Sequence, residues 1–175
     1  MPQHARTATD PRWLDRDEQE AWRAVAMLML ALPSRLDAQL QRDSGLTTFE
    51  YMVLSFLSMS PDDTARMSEL AGISSSSLSR LSNAVKRMET RGWLTRFADP
   101  DDGRVTLAQL TTAGRRVVEQ AAPGHVAAVR ELVIEPLTVH QLRVLADVGR
   151  RLRPGLDLPQ PGGVSRGDRA GASSS

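Results

Sequence analysis

The stretch from Ser77 to Arg96 holds the side chains best suited to chemistry, and the chemistry they suit is the binding of a polyanion. It contains five basic residues and one acid, Glu89, which gives a local charge of +4 in a chain whose formal net charge is +1. A concentrated positive patch on a nearly neutral protein is the electrostatic footprint expected of a nucleic-acid binder. A solvated helix face would also be charged, but with both signs mixed. The basic residues are Arg80, Lys86, Arg87, Arg91 and Arg96.

The same stretch predicts a helix over residues 78–91 with two unlike faces. Its apolar residues recur every three or four positions and would pack inward. The opposite face offers hydroxyls, an amide and cations, which are the groups that reach base edges and phosphates in a major groove. An ordinary amphipathic helix with a solvated face is the alternative interpretation. The residues of the polar face are Ser79, Arg80, Ser82, Asn83, Lys86, Arg87 and Thr90.

A helix-turn-helix would carry that polar face to DNA. A short helix is predicted over residues 69–73, and the four serines of residues 74–77 favour a turn that ends with Ser77 as the N-cap of the next helix. In this motif the second helix enters the major groove. The contacts we expect are a guanine for Arg80, an adenine for Asn83, and phosphates for Lys86 and Arg87.

A β-hairpin is predicted immediately after that helix. Residues 94–98 and 104–110 would form its strands, and the sequence Asp-Pro-Asp-Asp-Gly of residues 99–103 is typical of a turn. Arg96 on the first strand and Arg104 beside the tip are suitably placed to lay a cation into the neighbouring minor groove. The hairpin therefore predicts a second DNA-contacting element.

The acids of this turn suit a supporting role better than a DNA contact. Asp102 is the best placed to hold the Arg104 guanidinium by a bidentate ion pair. Asp99 is expected to fix the turn. Turn formation alone explains these acids at least as well as any orienting role.

Several motifs together resemble the multiple-antibiotic-resistance repressor (MarR) family of winged helix-turn-helix regulators. Residues 99–104, followed by Leu110-Thr111 and Gly114, are similar to the wing of that family, where an Asp-Arg-Arg triplet precedes a strand, a Leu-Thr pair and a Gly. Gly103 stands where the middle Arg would be, which leaves Arg104 as the wing finger. The resemblance covers residues 12–153. Segments 68–71, 77–82 and 89–94 resemble the family's reading head, and 121–126 and 136–138 resemble an actinobacterial branch.

The resemblance implies an obligate homodimer that presents two reading heads to a pseudo-palindromic operator in double-stranded DNA. Independently of the resemblance, the long flanking helices carry more apolar residues than one small reading head can cover, which indicates that a second copy covers them. Members of the family often bind small aromatic or anionic effectors between the dimer region and the reading head. By that resemblance Trp22, Met29 and Tyr51 would line an effector pocket, although the aromatic residues suit core packing as well.

The expected fold class is mainly α with a small β-hairpin wing, a winged helix-turn-helix reading head joined to a helical dimerisation region. A single domain is predicted over residues 12–153, between a flexible arm, 1–11, and a disordered tail, 154–175. Within it, 12–45 and 113–153 would form the dimerisation helices and 47–111 the reading head. The remaining helices are predicted over 12–42, 47–58, 113–133 and 138–153. Pro33 must kink the first of these or open a second helix.

Composition argues against several other functions. The chain has no Cys, and its three His lack ligand spacing, so neither a metal nor another cofactor is expected. No apolar run approaches about 18 residues and no export signal appears, so we expect a cytoplasmic protein. No catalytic constellation appears, so we expect no enzyme. The sequence predicts a sequence-specific DNA-binding transcription regulator, a repressor relieved by a small effector. The alternative is a helical protein-interaction module on a winged-helix scaffold that does not bind DNA.

Overall fold

Most residues are helical, and one small antiparallel sheet is present, in residues 12–73 and 78–156, the part of the chain that the computed structural model describes. This agrees with the fold class predicted from the sequence. The elements are α1 (Arg16–Ser44), α2 (Thr48–Met59), β1 (Thr64–Arg66), α3 (Met67–Ile73), α4 (Leu78–Thr90), β2 (Leu94–Ala98), β3 (Thr106–Leu110), α5 (Thr112–Val129) and α6 (Val139–Leu152). A π-helical turn, Arg130–Ile134, follows α5. No helix in these ranges is long and apolar enough to cross a membrane.

The chain divides into two compact units, and the boundary between Arg35 and Leu36 falls within α1. The predicted arm, 1–11, lies outside the described residues. The predicted tail is described only as far as Leu156, where Arg153–Leu156 forms a 3-10 turn, and its remainder also lies outside. The assignment of dimerisation and reading-head segments stays a prediction.

In the first unit, α1 begins later than the sequence predicted because Asp15 caps it. The Asp15 carboxylate accepts a hydrogen bond from the Glu18 amide at 2.9 Å, and the Glu18 carboxylate accepts one from the Asp15 amide at 3.0 Å. This reciprocal pair satisfies amides that the first helical turn leaves free. Pro33 lies inside one helix and does not open a second; it has no N–H for the carbonyl of Met29. Exposed apolar side chains in this unit include Trp22, Val25, Met27, Leu28, Met29 and Leu30.

In the second unit, α2 and α4 supply much of the hydrophobic core. The predicted capping box opens α2: the Thr47 hydroxyl accepts from the Glu50 amide, and the Glu50 carboxylate accepts from the Thr47 amide. Apolar residues of α4 are buried at the spacing the sequence predicted. The fully buried side chains include Leu40, Leu46, Val53, Leu54, Leu57, Leu70, Val85, Met88 and Leu94.

The wing is part of a three-stranded antiparallel sheet of order β1-β3-β2. The hairpin was predicted, but β1 was missed because three residues are too short to show a period. The second hairpin strand was predicted from Arg104, whereas β3 begins at Thr106, so Arg104 belongs to the loop. The structure also corrects the start of α3: Met67 already belongs to it, and the Glu69 carboxylate accepts from the Arg66 amide at 2.7 Å.

Two glycines fix the ends of the hairpin. Gly92 has φ +70°, a left-handed conformation that ends α4 and that side-chain-bearing residues rarely adopt. At the other end Thr111 caps α5 by accepting from the Gly114 amide at 3.0 Å. A Cβ at Gly114 would collide with the carbonyl oxygen of Trp93 and the side chain of Leu110. The glycine therefore allows α5 to start directly against the wing.

Candidate nucleic-acid interface

The outward face of α4 forms a polar, cationic surface. Ser82, Asn83 and Lys86 are exposed on that face. A shallow groove follows the same face toward the end of the helix, lined by Asn83, Lys86, Arg87, Thr90 and Arg91. The backbones of Ser79 and Arg80 lie in α4, but their side chains, and all of Ser77, lie outside the described residues. This face offers a hydroxyl, an amide and cations to a ligand.

Arg87 is exposed on α4 but already has an acidic partner within the chain. Its Nε lies 3.4 Å from Oε1 of Glu50, and the Glu50 side chain is only 4% exposed. The other oxygen of Glu50 accepts from the Thr47 amide at 3.0 Å. Glu50 therefore both caps α2 and holds Arg87. The two residues are 37 positions apart, so no local pattern in the sequence points to this pair.

Arg96 likewise donates within the chain. Its Nη2 and Nε lie 2.5 and 3.0 Å from Oε2 of Glu89 on α4, and both side chains are about two-thirds buried. Hydrogen bonding from Arg96 holds the pKa of Glu89 below its ordinary value, against a smaller opposing effect of burial. The sequence predicted that Arg96 contacts DNA. In the structure its guanidinium binds Glu89 and so links β2 of the wing to α4.

Arg104 is an exposed cation in the wing loop. Its side chain is 93% exposed, and Oδ1 of Asp102 accepts from its Nε at 3.2 Å and from its backbone amide at 3.1 Å. The predicted partner is therefore present, but one oxygen serves both donors in place of a bidentate fork. Asp99 fixes the turn as predicted, accepting from the Asp101 amide at 3.0 Å.

Two further cations lie near this surface. Arg66 on β1 has its guanidinium 4.0 Å from Oδ2 of Asp99 and is half exposed. Arg91, at the end of α4, lies 4.7 Å above the ring of Trp93, within the range of a cation–π contact. Sequence reasoning missed Arg66 as a candidate because it did not find β1. Its nearness to the wing turn follows from the pairing of β1 with β3.

The residues predicted to form an effector pocket belong to both units. Trp22 and Met29 are exposed in the first unit, while Tyr51 is 9% exposed in the second. The Tyr51 ring lies 4.5 Å from the His125 ring. Burial raises the pKa of Tyr51 and lowers that of His125.

Among the described residues, three helices each carry a buried polar atom without a hydrogen-bond partner. The atoms are Gln39 Oε1 on α1, Thr48 Oγ1 on α2 and His125 Nδ1 on α5, and the His125 ring is the one that contacts Tyr51. Buried polar atoms are nearly always hydrogen-bonded, so such atoms favour a polar occupant, water included.

The comparisons with known proteins agree with this architecture. A sequence model described as the MarR family matches residues 44–105, from the end of α1 to the wing. The crystal structure of Sco3205, a MarR family transcriptional regulator from Streptomyces coelicolor in complex with DNA, is 42% identical, with a TM-score of 0.80. The alignment covers 87% of this chain and 94% of Sco3205. This chain belongs to the MarR family.

Two other transcriptional regulators are similar over different lengths. AbsC, also a MarR family transcriptional regulator from Streptomyces coelicolor, is 37% identical over 82% of this chain and 95% of its own, with a TM-score of 0.74. An uncharacterized HTH-type transcriptional regulator of Bacillus subtilis, YdgJ, is 30% identical over 69 residues, which is 39% of this chain and 42% of YdgJ. Two of these similarities run nearly the full length of the related chain.

Proposed function

We propose that this MarR-family chain is a cytoplasmic homodimeric transcription regulator, and not an enzyme, that binds duplex DNA through α4 and the wing. The proposal rests on two exposed features, the α4 face of Ser82, Asn83 and Lys86 and the guanidinium of Arg104 in the wing loop. The complex of the related Sco3205 with DNA supports it.

In this proposal α4 enters a major groove and the wing loop follows the adjacent minor groove. Asn83 is proposed to pair with an adenine edge and Lys86 to neutralise a phosphate. Arg104 reaches the minor groove from the loop after β2, and its weak, exposed link to Asp102 leaves it available. Three more residues complete the proposed contacts because the sequence predicts them: Ser77 as the expected N-cap, and Ser79 and Arg80 of α4.

The dimer is proposed from the exposed apolar surface of α6. Leu145, Val148 and Leu152 recur at helical spacing and are 47%, 41% and 53% exposed, and α6 has no buried residue. An exposed apolar stripe of this kind usually marks an interface. A twofold-related copy would cover it and would present two α4 helices to half-sites about one helical turn apart.

Repression relieved by a small aromatic or anionic effector is the proposed regulation. The aromatic ring of Tyr51 and the unpartnered polar atoms on neighbouring elements support a site for a molecule with both properties. Benzoate is a suitable first probe. Release of bound DNA by benzoate, lost in the Tyr51→Ala variant while that variant still binds DNA, is the expected result.

The test of the central proposal starts from duplexes selected by the purified protein from a random pool. Affinity for the selected duplex and for calf-thymus DNA is measured by fluorescence anisotropy across a salt series. We expect preference for the selected duplex and a steep loss of affinity with salt, since phosphate neutralisation releases counterions. Absence of DNA binding would favour the alternative of a protein-interaction module. Arg151→Ala is the control, because it removes one exposed charge from an element other than α4 and the wing; since α6 is also the proposed interface, sedimentation must show that this variant is still a dimer.

A further inference from the structure

Two ion pairs hold α4 from opposite flanks, and we define them together as the α4 clamp: Arg87 with Glu50 of α2, and Glu89 with Arg96 of β2. Their polarity is reversed, since α4 supplies the cation of one pair and the anion of the other. A residue advances an α-helix by about 100°, so positions 87 and 89 lie about 160° apart around the axis.

The pair on the α2 side involves a buried carboxylate. Glu50 is 3% exposed, and a buried carboxylate is costly unless it is paired and hydrogen-bonded. Oε2 of Glu50 accepts a hydrogen bond from the Thr47 amide at the start of α2, and Oε1 accepts one from the Arg87 guanidinium. The Thr48 amide donates to Asp37 of α1 at 2.8 Å, so the first turn of α2, which carries the partner of Arg87, is also tied to α1.

The pair on the wing side has shorter contacts. Two nitrogens of Arg96 converge on one oxygen of Glu89, and β2 is in turn held by its ladder with β3, where Arg96 pairs with Ala108. The guanidinium of Arg96 is therefore anchored to the sheet and not to a flexible loop.

We propose that the α4 clamp sets the rotation of α4 about its own axis and so determines which bases its outward face prefers. In this proposal Arg87 and Arg96 act as positioning residues, in place of the DNA contacts that the sequence predicted for them. The inference rests on the proposed function. A helix with its side chains is about 10–12 Å across, so a rotation of about 20° moves a side-chain end by about 2 Å. That displacement exceeds the tolerance of a base-edge hydrogen bond.

The buried apolar stripe of α4 also restrains this rotation through close packing. The ion pairs add directional contacts on two flanks, which oppose rotation in both senses. Between the flanks lie Asn83, Lys86 and Thr90, whose direction the clamp would fix.

The test compares sequence preference with salt dependence in variants that keep the fold. Glu50→Gln is the principal variant, because Gln at this position retains the capping box while removing the charge that holds Arg87. Glu89→Gln does the same on the wing side. The exchange Glu89→Arg with Arg96→Glu restores an ion pair with reversed polarity and the same net charge. Circular dichroism verifies folding, and affinities are measured on the wild-type-selected duplex and on a shuffled duplex of equal composition.

We expect each single variant to lose about tenfold of the preference for the selected duplex, comparable to the loss of one good base contact. The salt slope should not fall, since no phosphate-binding cation is removed, and the exchange should recover most of the preference. Lys86→Ala is the matched contrast and should lower the slope by about 0.9 for each subunit. If the single variants retain the wild-type preference, the clamp is refuted while DNA binding stands. If the wild type binds neither duplex, the proposed function fails and the clamp's role fails with it.

Discussion

Replacing Arg104 by Ala tests whether the wing loop binds DNA through this exposed cation. The side chain is 93% exposed, and its single ion pair, with Asp102, spans 3.2 Å at a solvated site. Such a pair contributes little to folding. The variant should therefore fold normally and lose only what Arg104 supplies to a complex with DNA.

The magnitude follows from counterion release. Each neutralised phosphate contributes about −0.9 to the slope of log K against log salt, so removing Arg104 from both subunits should make the slope shallower by about 1.8. Between about 50 and about 200 mM salt, the difference in affinity between wild type and variant should shrink by about twelvefold. Fluorescence anisotropy on the selected duplex at four or five salt concentrations measures this directly.

The paired control is Asp102→Asn, which keeps Arg104 and its backbone contact but removes the neighbouring charge. Its slope should equal or exceed that of the wild type in magnitude. Parallel salt plots for Arg104→Ala and wild type would refute the proposed role of the wing loop.

The remaining predictions concern stability and assembly. Arg96 lowers the pKa of Glu89, so the ion pair stabilises the fold at pH values above the ordinary pKa of a Glu, about 4.3. This stabilisation is lost as the pH falls through the lowered pKa of Glu89. The urea midpoints of wild type and Arg96→Gln should therefore differ at pH 7 and converge in acid. Gly114→Ala should destabilise the fold by about 1–3 kcal/mol or more through the collision with Trp93, seen as a lower melting temperature; an unchanged melting temperature would contradict the packing. Leu145→Asp should yield monomers in sedimentation experiments, and a dimer of wild-type affinity would rule out α6 as the interface.

Much of the fold was predictable because its signals are local. The capping boxes at Thr47 and Thr138 join residues three apart, and both are present. The two faces of α4 follow from a period of 3.6 residues. Gly92 ends α4, and the acid-rich sequence after β2 forms the turn. These features depend on neighbours that are close along the chain, so composition and spacing reveal them.

Other features depend on contacts between distant segments. The three-residue β1 exists because Thr64 pairs with Gln109, 45 positions away along the chain. The continuity of α1 through Pro33 was equally open, since the sequence allowed either a kink or a second helix. In both cases the local sequence permits more than one backbone conformation, and strand pairing or packing selects one of them.

The amino-acid sequence alone showed where the cations are concentrated and which helix carries them. It also showed that a hairpin follows this helix. Only the tertiary structure decided what each cation does. Arg87 and Arg96 face acids from other elements, whereas the side chain of Arg104 reaches solvent with only a neighbouring turn acid beside it. The physical reason is that the Coulomb attraction between two charges depends on their separation in space, which folding sets and which distance along the chain does not reveal.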